Sequence, residues 1–192
     1  MPGLGVRVVK VGGSLFTLSD LGPRLQRWLN QQTPAHDVLL AGGGRWADAI
    51  READARFGLG QQTAHALCVE TLRVSARVLA ALLPGSPLVI RLPQLRTLLG
   101  AESRGSWVFC PYHFLTRWEP RHHPRPLPAT WEVTSDSISA RLADVLGAGE
   151  LVLLKSCAPP VEPSAGGYVD QHFAIAAANL ARVRQVNFRS AW

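Results

Sequence analysis

Val6-Arg-Val-Val-Lys10-Val-Gly-Gly-Ser14 is the stretch on which the reading of this chain turns. Its valines predict a short buried strand over 6–11, bounded by glycines. Gly12 and Gly13 let the backbone turn tightly and bring its N–H groups close to an anion, and Lys10 adds a point charge beside them. At the end of a first strand this combination points to phosphate handling. Taken alone, it fits an ordinary glycine turn equally well.

The device recurs. Asp37-Val-Leu-Leu-Ala41 reads as a second short strand, Gly42-Gly43-Gly44 as its loop, and Arg45-Trp-Ala-Asp-Ala-Ile50 as the start of a helix. A helix N-terminus presents unpaired N–H groups and a partial positive charge, so a glycine loop feeding one suits an anion. Two such loops suit two parts of a phosphorylated ligand pair. Neither matches G-x-x-x-x-G-K-[ST] or G-x-G-x-x-G, which sets aside the common P-loop and dinucleotide fingerprints.

Lysine and arginine total 20, yet only Lys10 and Lys155 are lysines. Both directly follow strand-like runs, Val6 to Val9 and Leu151 to Leu154. A compact ammonium on a flexible stem is not interchangeable with a planar guanidinium where phosphoryl oxygens must be followed through a reaction. Chance survival of two lysines is the competing explanation.

Between these motifs the chain alternates. Helices are expected over 20–31 and 61–83, the latter with Ala66, Val69, Leu72, Ala76, Leu79 and Leu83 on one apolar face and Pro84-Gly85 as its stop. Strands over 88–90 and 107–110 flank a short helix at 93–99. Thr134 or Ser135 caps a helix that carries Asp136 in its first turn and ends at Gly147 or Gly149. Glu150 to Lys155 is the last major strand. A proline- and glycine-containing loop over 156–167, a helix from Tyr168-Val-Asp170 to Leu180 and an edge strand over 182–188 complete the expected order. Helices alternating with short apolar strands imply an α/β sandwich with a largely parallel sheet. Right-handed crossovers then bring Lys10, Gly42 and Lys155 to one sheet edge, where ligands bind.

Two segments stay open. His65 and Glu70, near the start of the long helix, suit either a substrate pocket or a solvated face. Residues 111–128, rich in proline, histidine and arginine, are incompatible with a regular helix or central strand and read as a loop over a pocket or at a subunit interface. Cys110, His113, His122 and His123 match no standard zinc spacing, so no metal site is assigned.

Composition bounds the rest. With 192 residues, 47% hydrophobic and 18% charged, the chain suits one packed domain over 1–192. No apolar run approaches the ~20 residues of a membrane span and no leader pattern opens the chain, which predicts a soluble, cytoplasmic protein without membrane partners. Three widely spaced cysteines suggest reduced thiols. The net charge of +6 favours an anionic partner. Its basic residues are scattered singly, without a nucleic-acid-binding signature, so an anionic small molecule fits better than nucleic acid.

Taken together, Val9-Lys10-Val-Gly12-Gly13-Ser14, Leu40-Ala-Gly42-Gly43-Gly44, Thr134-Ser135-Asp136 and Leu153-Leu154-Lys155 resemble, in order, the motifs of the amino-acid kinase family of acetylglutamate, aspartate, carbamate and uridylate kinases. The short length, Ala64-His65 and Tyr168-Val-Asp170 are similar to its small members, including the aminomethylfuranmethanol phosphate kinase of methanofuran biosynthesis. The resemblance implies a three-layer αβα sandwich around a mainly parallel sheet, with the acceptor towards the N-terminal half and ATP towards the C-terminal half. It implies direct phosphoryl transfer from ATP with Mg2+, to a phosphate or carboxylate of an anionic metabolite. Lys10, Asp136 and Lys155 would be catalytic: Lys10 on the transferring group, Lys155 on the nucleotide side, Asp136 holding both. Gly12, Gly13, Ser14, Gly42, Gly43, Gly44 and Arg45 would contact phosphate or substrate. A homo-oligomer is also implied, with the long helix from Gln61 as a dimer surface, although an apolar stripe serves a core equally. One segment departs from the family pattern: where relatives carry Asp-x-x-Gly, this chain has Lys155-Ser-Cys-Ala-Pro-Pro160. The nucleotide pocket is therefore expected to be rebuilt, incomplete or lost, and in the last case the chain is a silent ligand-binding or storage module on the same fold.

Overall fold

The computed structural model describes residues 4–160 and 167–191. Six strands form one sheet: β1 Val6–Val11, β2 His36–Ala41, β3 Leu88–Val89, β4 Ser106–Phe109, β5 Glu150–Lys155 and β6 Val183–Asn187, in the order β3-β4-β2-β1-β5-β6. Every pairing is parallel. The central strands are buried on both faces, which is why they read as continuous apolar runs rather than as alternation.

Helices cover both faces. On one side α1 Leu21–Gln31 and α3 Gln61–Leu82 pack with Val9, Val11, Leu39, Ala41, Val152 and Leu154. On the other, α4 Leu92–Leu99 and α6 Ser135–Leu146 pack with Val8, Val38, Leu40, Leu151 and Leu153. The strand period of two thus divides the core into two layers, one per sheet face. The remaining long helix, α2 Gly44–Phe57, lies against α3 beyond the second strand. No helix among the described residues is long and apolar enough to cross a membrane.

Two expectations change. Residues 114–122 are helical, as a π-turn over Phe114–Trp118 running into α5 Glu119–His122. The prolines permit this because of their places: Pro111 precedes the turn, Pro120 sits in the first turn of α5 where no N–H is needed, and Pro124, Pro126 and Pro128 follow it. The helix expected from 170 to 180 shrinks to one turn, α7 Phe173–Ala176. Phe173 and Ala176 are its only buried residues, leaving no continuous apolar stripe to hold a longer helix on the core. The chain continues past the edge strand into α8 Phe188–Ala191. Of the loop expected over 156–167, residues 161–166 lie outside the described residues.

Candidate active site

The strand period that builds the core also collects the charges. Lys10 lies on the face of β1 that carries Val8, and Lys155 on the face of β5 that carries Leu151 and Leu153; both faces turn towards α6. Lys10 pairs in register with Leu153, so Lys155 stands one pleat repeat further along the adjacent strand, on the same side. Helix α6 begins over this corner with Asp136 in its first turn. Lys10 Nζ lies 2.9 Å from Asp136 Oδ1 and Lys155 Nζ lies 2.6 Å from Oδ2. One carboxylate bridges both lysines of the chain. Lys155 also donates to the Tyr168 carbonyl at 2.7 Å, and its ammonium lies 5.2 Å from the Tyr168 ring centre.

Burial alone would push the Asp136 carboxyl up, but the two ammonium groups outweigh it and hold it below the usual carboxylate range. Burial and the neighbouring charge of Lys10 pull Lys155 below the usual lysine value, against the opposing pull of Asp136. Burial pushes the Tyr168 phenol up to about 12. One carboxylate thus bridges two lysines, with Asp170 near enough to act on Lys155, and Asp136 is 4% and Lys10 5% exposed.

The two glycine loops meet beside it. A Cβ on Gly13 would strike the Gly44 backbone nitrogen, one on Gly42 would lie 2.7 Å from Gly13 N, and one on Gly44 would lie 2.7 Å from Gly13 O, with Gly44 at φ +55°. Glycine is required here because two backbones touch. The N–H of Gly12 donates to Leu154 O and that of Gly42 to Val11 O, each at 2.9 Å. Those two N–H groups are thus taken up by the sheet, whereas a Cβ on Gly12 would lie 2.8 Å from Leu154 O. Gly13, at the start of a 3-10 turn over Gly13–Thr17, and Gly43 and Gly44, at the start of α2, sit where a helix offers no internal acceptor. Ser14 Oγ donates to Ser156 Oγ at 2.9 Å, joining the first loop to the segment after Lys155.

A cleft of about 430 Å³ opens from the paired loops. Gly13, Ser14, Gly43, Gly44 and Arg45 line it, whereas Lys10, Asp136 and Lys155 stand outside its lining. His65, Trp131 and the apolar Val69, Leu72 and Ile138 line it as well. His65 Nδ1 lies 3.1 Å from the Thr130 carbonyl, and burial lowers the imidazole pKa against that bond, which favours the neutral ring. His65 thus borders the pocket, whereas Glu70, at a second cavity of about 390 Å³ that shares His65 with the first, is 45% exposed and pairs with Arg73 at 2.9 Å on the helix surface. Among the described residues no group of three or more His, Cys, Asp and Glu side chains is placed to hold a metal ion. Cys110 packs in the core, and His122 stacks on Trp118 with ring centres 4.8 Å apart.

Sequence reasoning assigned Asp170 no role in this corner. Its Oδ2 accepts hydrogen bonds from Thr134 N at 2.9 Å, Thr134 Oγ1 at 2.7 Å and Ser137 N at 3.0 Å, and its Oδ1 accepts from Ser137 Oγ. Asp170 thereby caps, from a distant part of the chain, the helix that carries Asp136. Thr134 makes the expected local cap with a bond of only 3.5 Å to Asp136 N. A capping acid 33 residues downstream leaves no local signature.

No protein-family model matches the chain, and no curated protein matches it significantly. Solved structures do. The UMP kinase from Bacillus anthracis superposes with a TM-score of 0.68 at 12% identity, covering 98% of this chain and 89% of that one. The uridylate kinase from Archaeoglobus fulgidus gives 0.55 at 16% identity over 84% of this chain and 70% of that one. The UMP kinase from Ureaplasma parvum gives 0.51 at 14% identity over 93% and 81%. The chain shares the αβα fold of these UMP kinases. These neighbours are uridylate kinases, and they lend no support to the narrower likeness to methanofuran-pathway kinases.

Proposed function

We propose that the chain is a small-molecule kinase that moves the γ-phosphoryl group of ATP onto a phosphate or carboxylate oxygen of an anionic metabolite. The observation that carries this reading is the pair of lysines bridged by one buried carboxylate beside two touching glycine loops. Phosphoryl transfer asks little covalent chemistry of a protein and much positioning and charge neutralisation. Lys10 would neutralise the group in transit, with the N–H groups of Gly13, Gly43 and Gly44 on its oxygens. Lys155 would serve the nucleotide side. Asp136 would position both ammonium groups and keep them charged. Ser14 and Arg45, which line the cleft, would meet the acceptor's anionic group. Mg2+ would arrive on the nucleotide phosphates, its habit in kinases.

The neighbouring uridylate kinases make uridylate the first acceptor to try; aminofuran phosphates and amino acids complete the panel. Calorimetry with ATP and magnesium, followed by a coupled turnover assay across that panel, tests the reading. Binding together with turnover of one acceptor is expected. Neither binding nor turnover of ATP would overturn it. A second reading, a silent binding module, draws on Lys155, which already donates to Asp136 and the Tyr168 carbonyl, and on the departure at 156–160. It predicts thermal stabilisation by an anionic metabolite without ATP consumption, undiminished in Lys10→Ala.

A further inference from the structure

We propose that the small cavity between the second half of α6, α7 and the 123–126 segment binds a free inorganic oxyanion such as phosphate, held by Arg141 and Arg125. The inference does not depend on the kinase reading. Arg141 is 4% exposed, and its Nε and Nη1 have no hydrogen-bond partner among the described residues. The nearest carboxylate oxygen, Glu119 Oε1, lies 3.7 Å from Nη1, beyond hydrogen-bond length. Glu119 instead accepts from Leu127 N at 3.0 Å. The buried Arg7, by contrast, donates to Asp37 at 2.7 Å and to the Thr33 carbonyl at 3.2 Å. A buried guanidinium with an ion-pair partner at 3.7 Å but no hydrogen bond at Nε or Nη1 keeps donors that an anion would complete. Burial pulls Arg141 below the usual arginine value, with Glu119 and Asp144 in partial opposition.

The cavity that Arg141 lines measures about 130 Å³ and is shared by Arg125, His123, His172, Asp144 and Asn179. Two guanidinium groups and two imidazoles face one carboxylate. That carboxylate is engaged on its own side, accepting from Asn179 Nδ2 at 3.4 Å and lying 3.9 Å from His123 Nε2. Pockets for drug-sized ligands run to about 300–1,000 Å³, so a nucleotide is too large here while a small oxyanion fits. A planar guanidinium meets two oxygens of such an ion at once. The site is separate from the lysine cluster: Arg141 lies five residues beyond Asp136, roughly 7.5 Å along the helix and turned well away around it.

Histidine-selective NMR of the full chain tests this, because each pocket carries its own reporter. Titration with inorganic phosphate should move the His123 and His172 ring signals along saturating curves, and Arg125→Gln, a change at an exposed residue, should weaken that binding by about tenfold or more. Arg141→Gln should do the same wherever it folds. His65 reports phosphate entering the glycine-loop cleft, so movement of His65 alone would overturn the proposal. Unsaturating drift at His123 and His172 would mean water fills the cavity and would overturn it as well, as would binding indifferent to Arg125→Gln. Glycerol phosphate presents the same group on a larger body. Weaker binding than phosphate is expected, and equal or tighter binding would overturn the assignment to the free ion.

Discussion

Strand β1 carries two buried cations three residues apart, and they do opposite things. Arg7, on the α1 face near the start of the strand, is held within the protein: it meets Asp37 at 2.7 Å, the Thr33 carbonyl at 3.2 Å and the Trp28 ring at 5.9 Å. Asp37 is closed from the other side by Arg104 at 3.3 Å. Lys10, on the α6 face near the end of the strand, shares one carboxylate with a second lysine and adjoins glycine N–H groups that lack helical acceptors. Buried ion pairs in the same sheet can therefore be frame or site. Where the buried donors are met by a carboxylate and a carbonyl inside the protein, the cluster holds the chain. Each carboxylate bridges two cations, Asp37 between Arg7 and Arg104 and Asp136 between Lys10 and Lys155. The difference lies in what adjoins them: a carbonyl and an aromatic ring at the Arg7 end, and at the Lys10 end glycine N–H groups without helical acceptors, poised for negative charge from outside.

The largest effect should come from breaking the frame. Asp37→Ala leaves Arg7 and Arg104 without their carboxylate in a buried place and should cost about 3–5 kcal/mol in urea unfolding. Turnover per folded molecule should be unchanged. A variant as stable as wild type would end the view of Arg7–Asp37 as structural.

Lys10→Arg attacks the other end with charge retained. The planar guanidinium cannot follow moving oxygens as a rotating ammonium does. Turnover should fall about 10²–10³-fold, the loss seen when one transition-state donor is removed, with little change in the unfolding midpoint. Wild-type turnover in this variant would break the distinction between the two cations.

That distinction was half legible. Lys10, Asp136 and Lys155 stand out because lysine is scarce here and because the strand period puts residues 8 and 10, and 151, 153 and 155, on common faces. Arg7 does not stand out, since arginine is the chain's ordinary cation and Asp37 reads merely as the start of an apolar run. The glycine loops were visible as loops, but their contact was not. Only the packing of β1 against β2 shows that Gly13 and Gly44 exclude a side chain from each other, and only the hydrogen bonds show that Gly12 and Gly42 serve the sheet. Asp170 and the helical turns over 114–122 depend on partners far along the chain or on prolines at permissive positions, and local pattern carries neither.

Asp170→Ala sharpens the comparison from the outside of the site. It removes four hydrogen bonds at the start of α6, only one of which Thr134 can replace locally. Loss of a helix cap costs about 0.5–2 kcal/mol, and the upper end is expected here. Because Asp136 sits in the freed turn, turnover should fall more than the remaining folded fraction accounts for, and Asp170→Asn should restore part of both. Equal losses in stability and activity would make Asp170 a structural residue of the Arg7 kind.

The smallest effect lies in the acid limb of stability. Two ammonium groups hold the Asp136 carboxyl below its ordinary value against the cost of burial, so the ionised form contributes stability that is fully present above about pH 4 and is lost as pH falls through the lowered folded value. Asp136→Asn removes that titration. Urea midpoints of the two proteins should therefore differ by a constant amount from about pH 6 to 4 and converge below, each unit of depression being worth about 1.4 kcal/mol. His65 does not disturb the difference. Its lowered value makes both proteins lose stability as pH drops from about 6.5 towards the folded value, and the loss cancels between them. A gap that stays constant to pH 2 would mean that the carboxylate does not bridge the lysines, and the contrast between this end of β1 and the Arg7 end would lose its basis.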